Sequence, residues 1–249
     1  MAKKSLEPAL SFGQAAARYD SIRPTYPADA IRWTIGDAAT EPNALGHVVD
    51  LGAGTGLLTR AILGASEARV TPVEPDPLMR ERLATRTPSV TPLAGSAESI
   101  PLADASVDAV LVGQAYHWFD PDSAHAEIAR VVRPGGVFGP IWNIRDSSVG
   151  WVAEFTKLID GDSAVAHHGK LIRPDFGPGF GPISCETFRH SMSMNADGLV
   201  ALLASRSYYL TASPERQDAL TTSIRRLADT MPSTFTMPYV TYCYRSVRN

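Results

Sequence analysis

The chain has 249 residues and a formal net charge of −3, so its length suits one large domain or a domain that carries an insertion. Hydrophobic residues make up 44% of the chain, which is ordinary for a globular protein and supports a sizeable core. The small net charge and the lack of a basic block disfavour nucleic acid as an obligatory substrate. No apolar stretch approaches the length that a membrane span needs.

Two features of the sequence favour a cytoplasmic protein. Lys3 and Lys4 are not followed by the apolar run of a secretion signal. The two cysteines, Cys185 and Cys243, provide neither a disulfide framework nor a metal-ligand spacing, and we expect buried free thiols in a reducing cytosol.

The first predicted element is a short helix that begins near Phe12, after a terminus that is expected to fray. Pro24 and Pro27 then force an extended turn, because proline disfavours helical backbone in the residue before it. A second helix is expected over residues 28–40, followed by a loop to residue 46. We assign residues 1–45 to an N-terminal arm and its helices.

The chain is organised around the stretch 47–59, in which an apolar run ends in the carboxylate of Asp50 and three alternate glycines precede a helical pattern. This order predicts a strand, a tight turn and a helix. The glycines allow bare backbone to approach a ligand, and the start of the helix offers unpaired N–H groups.

A glycine-rich turn after a strand usually indicates a dinucleotide site, but two details oppose one here. Leu57 stands where the dinucleotide pattern has its third glycine, and Asp50 suits an ammonium or sulfonium ligand better than a pyrophosphate. The run from Val49 to Gly56 resembles the first motif of class I S-adenosylmethionine-dependent methyltransferases. This resemblance implies S-adenosyl-L-methionine as the cofactor, with its methionine half held by the loop. The residues that it assigns to cofactor binding are Asp50, Gly52, Ala53, Gly54 and Gly56.

The segment from Tyr19 to Pro27 resembles the N-terminal segment of a small-molecule branch of this family, the methyltransferase type 11-like branch. In that branch Tyr-Asp-x-x-Arg-Pro-x-Tyr-Pro precedes the cofactor fold and closes over it. The resemblance implies that Tyr19 and Arg23 contact the cofactor and that Tyr26 contacts the substrate. The alternative, that this segment only packs against the fold, stays open.

Residues 68–74 are predicted to form the second strand, and Glu74 ends it 24 positions after Asp50. A carboxylate at such a position accepts hydrogen bonds from the ribose hydroxyls in nucleotide-binding folds. Asp76 is the predicted N-cap of the next helix and Pro77 its first residue. Pro75 and Met79 are expected at the cofactor as well, with Met79 near the adenine.

Residues 90–102 are predicted to form the third strand and a loop that resembles the family's third motif. The resemblance implies that Ser96, Ala97 and Glu98 surround the adenine. Many family members have Asp in place of Ser96, so the contact there is expected to be weaker or to use the backbone alone. Prolines 72 and 92 fall inside strand-like runs, although proline is confined to strand edges, bulges and starts.

Residues 106–115 are predicted to form the fourth strand, apolar throughout as a strand buried on both faces should be. Ligands of parallel sheets bind outside the carboxyl ends of the strands, and the residues that follow resemble the branch's Gln-Ala-x-His-Trp-Phe run. We expect Gln114 and Ala115 at the cofactor, with His117 and Trp118 at the substrate, where imidazole takes a proton. The alternative is that His117 and Trp118 pack against the next helix.

The fifth strand is predicted over residues 137–143, after a helix over 123–132 and an Arg-Pro-Gly-Gly turn, and its Trp142 is expected to line the pocket. Tyr208 lies in a segment that resembles the branch's inserted substrate cap. No metal site is predicted, because the histidines and aspartates of residues 160–168 lack the spacing of metal ligands. These residues are Asp160, Asp162, His167 and His168. The remaining predicted elements are helices over 151–159, 199–209 and 214–231 and strands over 185–194 and 234–247.

The predicted fold is α/β: a Rossmann-like, doubly wound sheet of seven strands, six parallel and the last antiparallel, with a helical cap insertion. Residues 46–145 form the cofactor-binding core, and residues 146–249 form the cap and the strands that complete the sheet. The predicted reaction is in-line methyl transfer to a small-molecule acceptor with an O, N or C nucleophile, with His117 as general base. Two alternatives stay open: a nicotinamide-dependent oxidoreductase, which Asp50 opposes, and a catalytically inactive cofactor-binding partner protein, which the intact motif opposes.

Overall fold

A computed structural model describes residues 22–36, 46–160, 175–204, 209 and 212–249 of the chain, with only the backbone of Asp160. Several predictions therefore lie outside the described residues. They concern the helix near Phe12 and the side chains of Tyr19, Asp160, Asp162, His167, His168 and Tyr208.

The described residues form a six-stranded sheet flanked by helices. The strands are β1 (His47–Leu51), β2 (Arg69–Val73), β3 (Val107–Gly113), β4 (Val132–Arg145), β5 (Ser184–Met194) and β6 (Phe235–Val247). The helices are α1 (Ala28–Ile35), α2 (Leu57–Ala65), α3 (Pro77–Arg86), α4 (Pro121–Val131), α5 (Gly150–Asp160), α6 (Ala196–Ala204) and α7 (Pro214–Ala228). A single 3₁₀ turn, Tyr116–Trp118, connects β3 to α4.

The strand order is β2-β1-β3-β4-β6-β5. β1 pairs in parallel with β2 and β3, and β3 pairs in parallel with β4, whereas β6 runs antiparallel to both of its neighbours. The predicted α/β class, the Rossmann-like sheet and the antiparallel last strand are confirmed. This order brings the carboxyl ends of β1, β2, β3 and β4 to one edge of the sheet.

The third strand that was predicted within residues 90–102, before a loop, does not form, so the described residues form six strands rather than the expected seven. Leu93 alone bridges β2: its N–H donates to the Pro72 carbonyl at 2.9 Å, and its carbonyl accepts from Glu74 N–H at 3.0 Å. The next bond of this ladder, toward Thr91, would need an N–H on Pro72, which proline lacks. The proline on β2 therefore limits the pairing to one bridge.

Both faces of the sheet are buried, which explains why β3 is apolar from Ala109 to Val112, whereas Asp108 near its start pairs with Arg133. On one face Val48 and Leu111 pack with side chains from α1 and α2. On the other face Val49 and Phe138 pack with side chains from α4 and with Phe176. Polar side chains that bind a ligand therefore have to come from the ends of the strands rather than from their middles.

Helices α5, α6 and α7 form a third apolar cluster, which we call the cap. Phe155 and Ile224 are buried in it together with Tyr239 from the start of β6. Tyr239 pairs with Arg145 at the carboxyl end of β4, because β6 runs antiparallel to that strand. The cap is thus anchored at the same edge of the sheet as the carboxyl ends of the parallel strands.

Two smaller predictions are wrong. The helix expected over residues 28–40 ends at Ile35, because Gly36 takes a φ of +60° and leaves the helical region. Cys185, expected to be buried, is exposed on the edge strand β5, whereas Cys243 is buried as expected and burial raises the pKa of its thiol to about 12. Across the described ranges, no helix has the length and apolar character that crossing a membrane demands.

Candidate functional site

The glycine loop between β1 and α2 presents bare backbone at the carboxyl edge of the sheet. Gly52, Gly54 and Gly56 all have positive φ, at +70°, +54° and +84°. The N–H groups of Gly52 and Ala53 donate to the carbonyl of Val73 at 2.8 and 3.1 Å, which ties the loop to β2. A Cβ added to Gly54 would meet no atom of the described residues within 4 Å, so these residues leave the loop open to a ligand at this point.

The other two glycines are closely packed. A Cβ on Gly52 would lie 2.9 Å from the Cβ of Ala115, and one on Gly56 would lie 2.8 Å from Cγ of Leu83. The loop therefore has a packed side and an open side, as a backbone cradle for a ligand requires. The close packing of Gly52 on Ala115 brings together two predicted site residues, one just after β1 and the other just after β3.

Asp50 is completely buried at the end of β1. Its Oδ2 accepts a hydrogen bond of 2.5 Å from the hydroxyl of Thr59, while its Oδ1 is buried with no hydrogen-bond partner among the described residues. Loss of solvent raises the pKa of the Asp50 carboxyl to about 7, against the hydrogen bond from Thr59 and with a smaller contribution from the negative charge of Glu74. A cationic ligand group beside Oδ1 would restore the charged form.

Thr59 is a site residue that the sequence analysis did not identify. It lies on α2, its side chain is buried, and its hydroxyl orients the Asp50 carboxyl. The available signal was a polar residue on the sheet-facing side of an apolar helix, nine positions after Asp50.

Glu74, the second predicted acid, is also buried. Its Oε2 accepts from Gly54 N–H at 2.8 Å and its Oε1 accepts from Asp76 N–H at 2.9 Å. Burial raises the pKa of Glu74, while these two hydrogen bonds oppose the rise. Each carboxylate oxygen has a second lone pair, so hydroxyl groups of a ligand have acceptor sites left. The link from Glu74 to the glycine loop was not apparent from sequence.

The turn after β2 confirms the predicted helix start. Asp76 is the N-cap of α3, and its Oδ1 accepts from Leu78 N–H at 2.8 Å and Met79 N–H at 3.4 Å. Pro77 occupies the first helical turn. Met79 is buried and Pro75 is exposed beside Glu74.

The loop after the single Leu93 bridge contains the three predicted adenine contacts. Ser96 and Ser99 exchange two backbone hydrogen bonds of 3.2 Å, which close a tight turn. Ala97 is buried in the core, and Oε1 of Glu98 accepts from Asp120 N–H at 3.1 Å, next to the start of α4. Contact of these residues with an adenine stays a prediction.

The end of β3 carries an unusual backbone and two exposed rings. Gln114 has a φ of +59°, and its side-chain amide donates to the carbonyl of Asn143 at 2.8 Å. Positive φ in a non-glycine residue costs energy and is concentrated at functional sites. In the 3₁₀ turn that follows, His117 and Trp118 are exposed, and their ring centroids lie 4.8 Å apart. Trp118 is 43% exposed to solvent. Tyr116 between them and the strand points into the core instead.

Residues 22–27, which we call the strap, cross the ends of β3 and β4. The amide of Asn143 donates to the carbonyls of Pro24 and Thr25 at 3.3 and 3.0 Å. Tyr26 lies on Gly113, where an added Cβ would stand 2.6 Å from the tyrosine hydroxyl oxygen. The strap thus carries Arg23 and Tyr26 at the edge where the glycine loop and Gln114 also lie. Tyr26 is buried in the apolar cluster beneath this edge, and its contact with substrate stays a prediction.

Trp142 lies on the core side of β4 rather than among the exposed groups. It is buried and meets Tyr116 and Tyr244 edge to face, with ring centroids 5.8 and 5.7 Å apart. Its predicted contact with substrate stays a prediction. Among the residues that the structure describes, no three His, Cys, Asp or Glu side chains are grouped so that they could hold a metal ion.

The chain is similar to known proteins over nearly its whole length. A family model described as "Methyltransferase domain" matches residues 49–139. An uncharacterized methyltransferase of Mycobacterium tuberculosis (strain ATCC 25618 / H37Rv) is 40% identical over 244 residues, which are 95% of each chain. An uncharacterized methyltransferase-like protein of Schizosaccharomyces pombe is 31% identical over 242 residues, 95% of this chain and 93% of that one.

A solved structure also shares the fold. It is that of a candidate type II methyltransferase from Anaeromyxobacter dehalogenans, which superposes with a TM-score of 0.64 at 24% sequence identity. The superposition covers 91% of this chain and 97% of that one, so the similarity includes the cap as well as the sheet.

Proposed function

Because the chain belongs to the class I S-adenosylmethionine-dependent methyltransferases, we propose that it methylates a small-molecule acceptor by in-line displacement, with His117 as general base. The observation that carries the proposal is the buried carboxyl of Asp50 at the end of β1, whose Oδ1 has no hydrogen-bond partner among the residues that the structure describes. A cationic amino-acid group satisfies such an oxygen, whereas a pyrophosphate would be repelled by it.

The residues present fit S-adenosylmethionine. Asp50 offers an acceptor to its positive charge, the open backbone at Gly54 fits its methionine half, and Glu74 has lone pairs left for the ribose hydroxyls. Bound there, the cofactor supplies a methyl carbon that its positively charged sulfur has already activated.

The chain's own residues then have three tasks: to bind, to orient and to hold a proton. Holding two reactants in line is worth roughly 7–11 kcal/mol of the barrier. The exposed ring of Trp118 provides a flat apolar surface for the acceptor, and the adjacent imidazole of His117 takes the proton that a hydroxyl or ring nitrogen releases. The acceptor that we propose is therefore small and flat, with a hydroxyl, carboxyl, ring-nitrogen or carbon nucleophile.

Isothermal titration calorimetry with S-adenosylmethionine tests the proposal. We expect the wild-type protein to bind it and Asp50→Asn to weaken binding by about tenfold or more, because the neutral amide no longer attracts a cation. Asp29→Asn is the matched control, since Asp29 is exposed on α1 and forms a surface ion pair with Arg32 at 2.6 Å.

Two outcomes would overturn the proposal. One is the absence of binding heat in folded wild-type protein at high micromolar cofactor. The other is equal affinity of the wild type and Asp50→Asn. A nicotinamide dinucleotide titrated in the same way should give no heat, and binding of that ligand instead would favour an oxidoreductase.

A further inference from the structure

Asn143 stands near the carboxyl end of β4, and both polar atoms of its buried side chain are engaged. Its Nδ2 donates to the carbonyls of Pro24 and Thr25 in the strap, at 3.3 and 3.0 Å. Its Oδ1 accepts from the hydroxyl of Thr241 at 2.6 Å and pairs with Nε2 of His190 at 3.2 Å. One side chain therefore joins β4, β5, β6 and the strap.

An amide is the group that this environment requires. Thr241 and His190 offer donors to one end of the side chain, while the strap offers two carbonyl acceptors to the other. Only an amide provides an acceptor and a two-hydrogen donor on one planar group. A carboxylate of the same shape would place a negative oxygen against two carbonyl oxygens, with no hydrogen to share.

A second contact holds the strap independently of Asn143. The hydroxyl oxygen of Tyr26 comes so close to Gly113 that a Cβ there would lie only 2.6 Å away. Gly113 is the last residue of β3, and the next residue, Gln114, donates its side-chain amide to the carbonyl of Asn143 at 2.8 Å. The strap is therefore fixed at the ends of two neighbouring strands.

We infer that Asn143 is a positioning residue: it holds the strap across the carboxyl ends of β3 and β4 and so keeps Arg23 and Tyr26 at the site. The contacts join residues 118 and 119 positions apart in sequence. That Arg23 and Tyr26 contact ligands rests on the proposed function. The holding of the strap itself does not.

The mobility of the strap is measured directly with a nitroxide label at Thr25→Cys, because the side chain of Thr25 is exposed while its carbonyl binds Asn143. The label is placed in a Cys185→Ser background, since Cys185 is exposed and Cys243 is buried. In this background we expect a largely immobilised spectrum. Asn143→Asp should raise the mobile fraction about tenfold, because it replaces two hydrogen bonds by repulsion.

Asn195→Asp is the matched control. Oδ1 of Asn195 accepts from Gly198 N–H at 2.8 Å at the start of α6, and an aspartate keeps that acceptor. This variant should leave the label immobilised. Gly113→Ala tests the second contact separately, since the added methyl displaces Tyr26 while Asn143 stays intact, and it should mobilise the label less than Asn143→Asp does.

The consequence for binding is tested by calorimetry on the unlabelled variants. Asn143→Asp and Gly113→Ala should each weaken S-adenosylmethionine binding about tenfold, and Asn195→Asp should not. An immobile label in folded Asn143→Asp, or in Asn143→Ala should the first variant not fold, overturns the inference, because both substitutions remove the hydrogen bonds from the side-chain amide to the strap. So does a mobile strap with unchanged cofactor affinity. If the wild type binds no cofactor, the proposed function fails, while the spectra still decide whether Asn143 holds the strap.

Discussion

At the scale of single residues, the burial of Asp50 has a consequence for stability. Loss of solvent raises the pKa of its carboxyl to about 7 in the folded protein, whereas in the unfolded chain the pKa is about 3.9. Between these two values the folded state binds more protons than the unfolded state. Raising the pH through this window therefore lowers the free energy of unfolding, by up to about 4 kcal/mol for a shift of this size.

Asp50→Asn removes the titrating group and should flatten this part of the pH dependence. The measurement is urea unfolding of the wild type and of Asp50→Asn at about pH 5 and about pH 7. The quantity compared at each pH is the difference between their free energies of unfolding. The amide oxygen of the substituted side chain still accepts the Thr59 hydrogen bond, so the variant should fold. Asp29→Asn, on the surface, should follow the wild type. A wild-type slope that Asp50→Asn reproduces would contradict the raised pKa.

The role of His117 is a prediction of the same scale. His117→Ala should keep cofactor affinity and lose about 10²–10⁴ of turnover, because a general base contributes only to the chemical step. The acceptor is first found by screening metabolites with a labelled methyl donor. Because His117 is exposed in a 3₁₀ turn, we expect the His117→Ala variant to fold like the wild type. Unchanged turnover would mean that the imidazole only covers Trp118.

At the scale of elements, α2 offers a pair of glycines in opposite situations. Gly56 precedes the helix with a φ of +84°, and a Cβ there would lie 2.8 Å from Leu83. Gly64 lies inside the helix, and a Cβ there would meet nothing within 4 Å. Gly56→Ala should lower the free energy of unfolding by about 2 kcal/mol or more. Gly64→Ala should raise it by roughly 0.5–1 kcal/mol.

Urea unfolding of the two variants measures both changes in the free energy of unfolding. Because both variants replace Gly by Ala, each serves as the control for the other. Equal effects would show that the left-handed backbone at Gly56 is not required. The two variants should also differ in cofactor binding. We expect Gly56→Ala, in the glycine loop, to weaken it and Gly64→Ala to leave it unchanged.

The elements that sequence predicted well are those specified locally. The β1–α2 unit follows from adjacent residues, since the apolar run, the three glycines and the helical pattern all lie within the stretch 47–59. The N-cap at Asp76 and Pro77 follows from two neighbours. The strand predicted within residues 90–102 does not form, because a strand needs a partner and Pro72 on that partner has no N–H to donate.

The contacts that sequence analysis missed form between separate elements of the fold. Thr59 meets Asp50, Glu74 meets Gly54, and Asn143 meets the strap only after the sheet has formed. No periodicity or spacing specifies such pairs, because each depends on how one element pairs with or packs against another. The sequence thus predicted the acids and glycines of the site, and the structure adds the groups that orient them.

At the scale of the molecule, the candidate site lies at the carboxyl edge of the sheet, and the chain around it has two parts with separate apolar cores. The sheet with α1–α4 has its own apolar clusters on both faces, and the cap has a third. The glycine loop and Glu74 belong to the first part, whereas the cap is anchored at the end of β4 and the start of β6. The cofactor is therefore expected to contact the first part alone, whereas the acceptor is expected to reach both Trp118 of that part and the cap.

Hydrogen exchange tests this division with S-adenosylmethionine as the only ligand. Binding should protect backbone amides in residues 52–56 and 74–79, because these segments contain the open glycine backbone, Glu74 and Met79. Exchange in α5, α6 and α7 should change little until an acceptor is added. At a concentration of about 100 times Kd the whole protein should gain about 2.7 kcal/mol of stability, seen as a higher melting temperature. Adenosine is the control ligand: it should protect residues 74–79 but leave the glycine loop unprotected, since it lacks the charged methionine half. Protection confined to the cap would place the cofactor elsewhere and remove the basis for assigning Asp50 and Glu74 to it.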